Sequence, residues 1–169
     1  IAKAVPGLQT RVFECANRLI QNGQTSALAE RGAPELVTKA MRCFALDPGL
    51  QRAACEVLAG IAWSEADHVM AAGGLQAVMQ ALRLHQPYAW VCVAAVEALQ
   101  VFCREGIQPD REHVADMWDL TVGALRRHPH SLRVVKTANE FLSFLSSFQA
   151  DAKVSRPNVL SNVLPVPKK

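Results

Sequence analysis

The sequence has no apolar run that could cross a bilayer. Its longest uncharged apolar stretch extends only from Tyr88 to Val96, against the ~20 residues a spanning helix needs. It carries no signal peptide, and it starts at Ile1 rather than Met, so it is expected to be a segment of a longer protein. Alternating β-branched runs are scarce, which excludes a sheet protein. CxxC is missing, and the 5 cysteines (Cys15, Cys43, Cys55, Cys92, Cys103) are odd in number, so no disulfide or zinc framework is expected. Each lies in an apolar, helix-like run, and together they read as reduced core thiols of a cytoplasmic or nuclear protein. HExxH, a nucleophile elbow and a phosphate-cradling glycine loop are absent. His128 and His130 form an HxH without a nearby third ligand. No catalytic, metal or cofactor site is expected.

An excess of one charge is also missing from most of the chain. Of 18 Lys and Arg and 15 Asp and Glu, residues 151–169 take Lys153, Arg156, Lys168 and Lys169 against Asp151. The 14 of each sign that remain make the body neutral, so neither nucleic acid nor a membrane is expected as a partner.

What is present is a chain of 169 residues, half hydrophobic and 20% charged, the profile of one soluble globular domain. A chain of this length buries about two-thirds of the surface its unfolded form exposes and needs no cofactor to fold. Apolar residues recur at three and four positions, as in Ala94, Ala95, Ala98 and Leu99, so the chain reads as all-α.

The sequence also repeats. Pro6-Gly7-Leu8-Gln9 returns as Pro48-Gly49-Leu50-Gln51, 42 positions later. Ala40-Met41-Arg42 returns as Ala81-Leu82-Arg83 and Ala124-Leu125-Arg126, at spacings of 41 and 43. Ala54-Cys55-Glu56-Val57-Leu58 corresponds to Ala95-Val96-Glu97-Ala98-Leu99 and to Ala138-Asn139-Glu140-Phe141-Leu142, with the same drift. A weaker copy is Val12-Phe13-Glu14-Cys15-Ala16.

Glycine and proline divide each period into three helices. A short helix from Ser64, capped by it, is stopped by Gly73-Gly74, a second runs from Leu75 to about His85, and a third from Tyr88 to about Arg104. The preceding period has its break at Gly32, with Pro34 in the next first turn. In the last period Asp116 stands where the glycines stood, so its first two helices are expected to merge or to meet at a different angle.

A 41–43-residue unit of one short and two longer helices, with glycine after the first, resembles the armadillo repeat, most closely over Met70 to Leu82. The resemblance covers residues 5–148 as a partial unit (5–22) and units of about 25–62, 64–104 and 110–148. Residues 1–150 are thus expected to form one domain, and 151–169 a flexible basic tail. It implies a right-handed superhelical α-solenoid whose third helices line a concave groove for extended peptides. The family's best-known peptide readers present Trp and, four residues on, Asn from that helix. Here the first place holds Glu14, Glu56, Glu97 and Glu140, and the second Arg18, Gly60, Val101 and Phe144, so a receptor for nuclear-localisation signals is not expected.

A carboxylate in every unit can focus an acidic field on a basic partner. Against this, Arg52 lies four residues before Glu56, Lys136 four before Glu140, and Arg18 four after Glu14, the spacing of surface ion pairs, so the face can also neutralise itself. Glu97, between Val93 and Val101, has no such partner on its own helix. Arg42, Arg83 and Arg126 fit the last turns of the second helices. Trp63, Trp90 and Trp118 are assigned to the core or to packing between units, and Phe141, Phe144 and Phe148 to an apolar solenoid end. Two functions remain open. One is a non-catalytic module that binds a protein or peptide segment, possibly basic, along the third helices. The other is a structural or regulatory domain of a larger enzyme or scaffold, docking through its end. Oligomeric state is left open.

Overall fold

The computed structural model describes residues 6–107 and 109–150, with side chains from 11 to 147. The proposed tail 151–169 and the Phe148 side chain lie outside the described residues. Eight helices and no strand are described: α1 Pro6–Gln21, α2 Thr25–Glu30, α3 Ala33–Cys43, α4 Pro48–Ala71, α5 Gly74–Leu84, α6 Ala89–Arg104, α7 Arg111–Arg127 and α8 Leu132–Ala150. The protein is all-α.

Punctuation in the sequence explains most boundaries. Asp47 accepts a hydrogen bond from the Leu50 amide at 3.0 Å, and Pro48 needs no partner for a missing N–H, so α4 starts there. Asp110 does the same for α7 through the His113 amide at 2.8 Å. Gly32 and Gly73 both sit at φ 74°, a left-handed conformation that costs other residues roughly 1–2 kcal/mol, and turn the chain into α3 and α5. The last period lacks that glycine, and α7 is one continuous helix of 17 residues. The expected cap at Ser64 is not made. The chain passes from the third helix of one period into the next short helix with only Glu65 leaving helical geometry (φ −133°, ψ 49°), and α4 runs on through Ala71. The Glu65 carboxylate accepts from Ser26 Oγ at 2.6 Å and lies 3.4 Å from His68 Nδ1.

Two rows of helices result. α1 packs on α4, α4 on α6 and α6 on α8, while α3 packs on α5 and α5 on α7. The repeated markers form the seam: Ala54, Leu58, Ala95, Leu99, Ala138 and Leu142 are all buried. Most of the core is one cluster running from Phe13 through Leu58, Leu82 and Phe102 to Leu145, with a smaller one between α7 and α8 around Val122, Leu125 and Leu142. Carbonyls left open where α3 ends are met from α4, as Gln51 Nε2 donates to Met41 O at 2.8 Å and Phe44 O at 3.0 Å.

Three of the five cysteines are core residues. Burial pushes the Cys55 and Cys103 thiols up to about 12 and that of Cys92 up to about 11. Cys15 and Cys43 are exposed, so the expectation of five core thiols fails for two. Cys15 lies on the side of α1 that no described helix covers, and Cys43 is the last residue of α3. Two tryptophans depart in the same way. Trp63 is 66% exposed and Trp90 44%, and only Trp118 packs between helices, touching both clusters.

Candidate protein-binding face

The α1–α4–α6–α8 row presents one carboxylate per helix at a common register. Glu14, Glu97 and Glu140 are exposed and Glu56 half-buried. Their cations come from two sources. Arg52 Nη1 reaches Glu56 Oε1 at 2.7 Å and Lys136 Nζ lies 4.0 Å from Glu140 Oε1, the two expected same-helix pairs. Glu97, which has no cation three or four residues away on its own helix, is also paired, 3.5 Å from Arg133 Nη2 on α8. Arg18, by contrast, makes no ion pair with Glu14 among the described residues. Each pair is exposed enough to be worth about 0–1 kcal/mol. The face is a ladder of alternating charge, and Glu14 alone of the four lacks a cation among the described residues.

That carboxylate lines an open cleft of about 530 Å³ between α1 and α4, with Asn17, Arg18, Ile20, Gln21, Glu56 and Gly60. Gly60 sets its depth. A Cβ there would stand 2.8 Å from Ile20 Cγ2, so only glycine lets α1 approach this closely. Asn17 Nδ2 donates to Glu56 Oε2 at 3.4 Å and joins the two helices across the floor. One turn beyond Gly60, Trp63 is 66% exposed rather than in the core or between units; it lies seven residues after Glu56 and three after Gly60, a spacing that puts all three on one side of α4.

The phenylalanine end differs from expectation. Phe141 is wholly buried, because the α8 register points it back at the core, and it presents nothing to a partner. Phe144 is half-buried, and the Arg104 guanidinium lies 6.0 Å from its ring centroid, so it belongs to the α6–α8 seam. The exposed apolar end is α1. Val12 (55%), Cys15 and Leu19 (38%) form an i, i+3, i+7 stripe facing away from α4.

Comparison of the chain with models of protein families, with curated proteins and with solved structures finds no match. Among the described residues no group of three His, Cys, Asp or Glu is placed to hold a metal, and His128 Nε2 is engaged with the Gln86 carbonyl at 2.7 Å. No described helix is long and apolar enough to cross a membrane.

Proposed function

We propose that the protein is a non-catalytic interaction module, an armadillo-like right-handed solenoid that binds an extended protein segment along the face of α1, α4, α6 and α8. The observation that carries this reading is the ladder itself: four helices in one row, 41–43 residues apart in register, each presenting a carboxylate, three of them beside a cation. Such a surface offers paired donors and acceptors at every helix to a chain laid across it, and exposed ion pairs exchange partners at little cost. Selectivity for a basic side chain is concentrated at the α1–α4 cleft, where Glu14 makes no ion pair among the described residues, although Arg18 lines the same cleft, and where Trp63 adds an open ring on the same side of α4.

The test is titration of a Lys/Arg-containing extended peptide into wild type and into Glu14→Gln with Glu56→Gln at two salt concentrations. The double variant is expected to bind about tenfold more weakly, with a flatter salt dependence. Equal affinities would remove the cleft. The end-docking alternative is favoured by the Val12, Cys15 and Leu19 stripe rather than by the phenylalanines. On that reading Val12→Ser with Leu19→Ser abolishes association and the Glu variant does not.

A further inference from the structure

The neutral body conceals two edges of opposite character. His85 Nε2 meets the Ala45 carbonyl at 2.8 Å and His128 Nε2 meets the Gln86 carbonyl at 2.7 Å, so the loops before α4, α6 and α8 touch in series along one edge. Segments 42–49, 83–90 and 126–133 on that edge carry Arg42, Arg83, Arg126, Arg127 and Arg133. Their one acid is Asp47, whose carboxylate is engaged in capping α4. From outside these segments Asp116 meets Arg83 at 3.0 Å and Glu97 meets Arg133 at 3.5 Å, so Arg42, Arg126 and Arg127 are the arginines without an ion pair among the described residues. At the far edge, where Ser26 meets Glu65, segments 64–68 and 105–112 hold Glu65, Asp67, Glu105, Asp110 and Glu112 with Arg111 as the one arginine.

The basic edge also bears the most exposed large apolar side chains described, Leu46 at 83% and Leu132 at 82%, one on each outer loop. Between them stand Tyr88 and Trp90, 43% and 44% exposed, with ring centroids 5.8 Å apart. A last-turn arginine complements the carbonyl end of each of α3, α5 and α7. That role accounts for one cation per helix. It leaves Arg127, which makes no ion pair among the described residues, and the outward leucines without a task in the fold.

We propose that this edge docks on an anionic lipid bilayer. Leu46 and Leu132 would enter the headgroup boundary, Tyr88 and Trp90 would sit at its level, and the arginines would meet lipid phosphates and carboxylates. A nucleic-acid backbone would satisfy the arginines but would hold both leucines against phosphate and water. The lipid surface matches both halves of the chemistry. The reading departs from the expectation of no membrane partner, which rested on spanning length and net charge; docking depends on neither. It shares Arg133 with the ladder face, but the residues varied to test it, Leu46, Leu132, Arg126 and Arg127, are not part of that face, so either surface can fail without the other.

The experiment is co-sedimentation of the full chain with vesicles of phosphatidylcholine alone and with about one-third phosphatidylserine. Binding is expected to the anionic vesicles only, and to fall as salt rises. Leu46→Ser with Leu132→Ser should weaken it at least about tenfold. Arg126→Gln with Arg127→Gln should weaken it about fivefold for each arginine, with a flatter salt dependence. Circular dichroism of both variants should match wild type, since all four side chains are exposed. No binding to anionic vesicles overturns the proposal. So does binding that both double variants leave unchanged, which would assign the attraction to the basic residues of 151–169. Duplex DNA binding that is insensitive to the leucines, with weaker vesicle binding, would make the edge a general polyanion surface and overturn the lipid assignment.

Discussion

α1 and α6 occupy equivalent places in the repeat and have opposite surroundings. Val12, Cys15 and Leu19 on α1 correspond in register to Ala54, Val57 and Ile61 on α4 and to Ala95, Ala98 and Phe102 on α6. The last six are wholly buried, while the α1 residues face solvent. α6 is held by α4, α5, α7 and α8; α1 packs on α4. In a stack of helices, burial is conferred by neighbours, and the same apolar stripe becomes core or surface according to its place in the row.

Thiol chemistry exposes that contrast most strongly. With Cys55 and Cys103 pushed up from 9.0 to about 12, the thiolate that attacks a reagent is roughly a thousandfold scarcer than for an unperturbed thiol at the same pH. Cys15 and Cys43 should therefore label rapidly in the native protein, and Cys55, Cys92 and Cys103 only on unfolding. Mass mapping after a short alkylation checks it, and early labelling of Cys103 would break the comparison. Core truncation comes next. Phe102→Ala should cost about 3–5 kcal/mol in urea unfolding, whereas Leu19→Ala, at the equivalent-facing surface of α1, should cost about 0.5 kcal/mol or less.

Gly60→Ala sharpens the comparison where α1 meets α4 most closely. The added methyl group meets Ile20 at 2.8 Å, an overpacking cost of about 1–3 kcal/mol offset by about 1 kcal/mol of helix propensity. Faster amide exchange confined to α1, with α6 unchanged, is the expected outcome. The smallest effect is at Asp110. Hydrogen bonds from the His113 backbone amide and side chain hold its carboxyl below 3.8. The folded form thus prefers the charged group, so the cap's contribution is complete above about pH 4 and is lost as the pH falls through the depressed value. Acid titration of Asp110→Asn should lack that component, while Asp47→Asn serves as the capping control.

Much of this was legible from spacing. Gly32 and Gly73 announced two helix breaks, because a left-handed turn has few residues that can make it, and the missing glycine left the last period to merge its first two helices or to set them at a different angle, of which α7 shows the first. Arg52 with Glu56 and Lys136 with Glu140 were legible because both partners lie on one helix. Glu97 with Arg133 was not, since its partner arrives from the next helix of the row, 36 positions away. Cys15, Trp63 and Trp90 were misassigned for a related reason. Local apolar context predicts that a residue prefers the core, and cannot say whether a neighbour is there to make one. The last turns of α8 show the converse, for Phe141 is wholly buried and Phe144, three residues on, packs half-buried against the core where an exposed apolar end was expected.

The kink at Glu65 bears on how the molecule would respond to force. Within α4 two helical stretches, one from the second period and one from the third, meet at that residue, which alone leaves helical geometry. The other joint lies between the end of α6 at Arg104 and the start of α7 at Arg111. Bending would gather at these two joints, while the cleft beside α1, whose α4 residues Glu56 and Gly60 precede the first of them, keeps its shape.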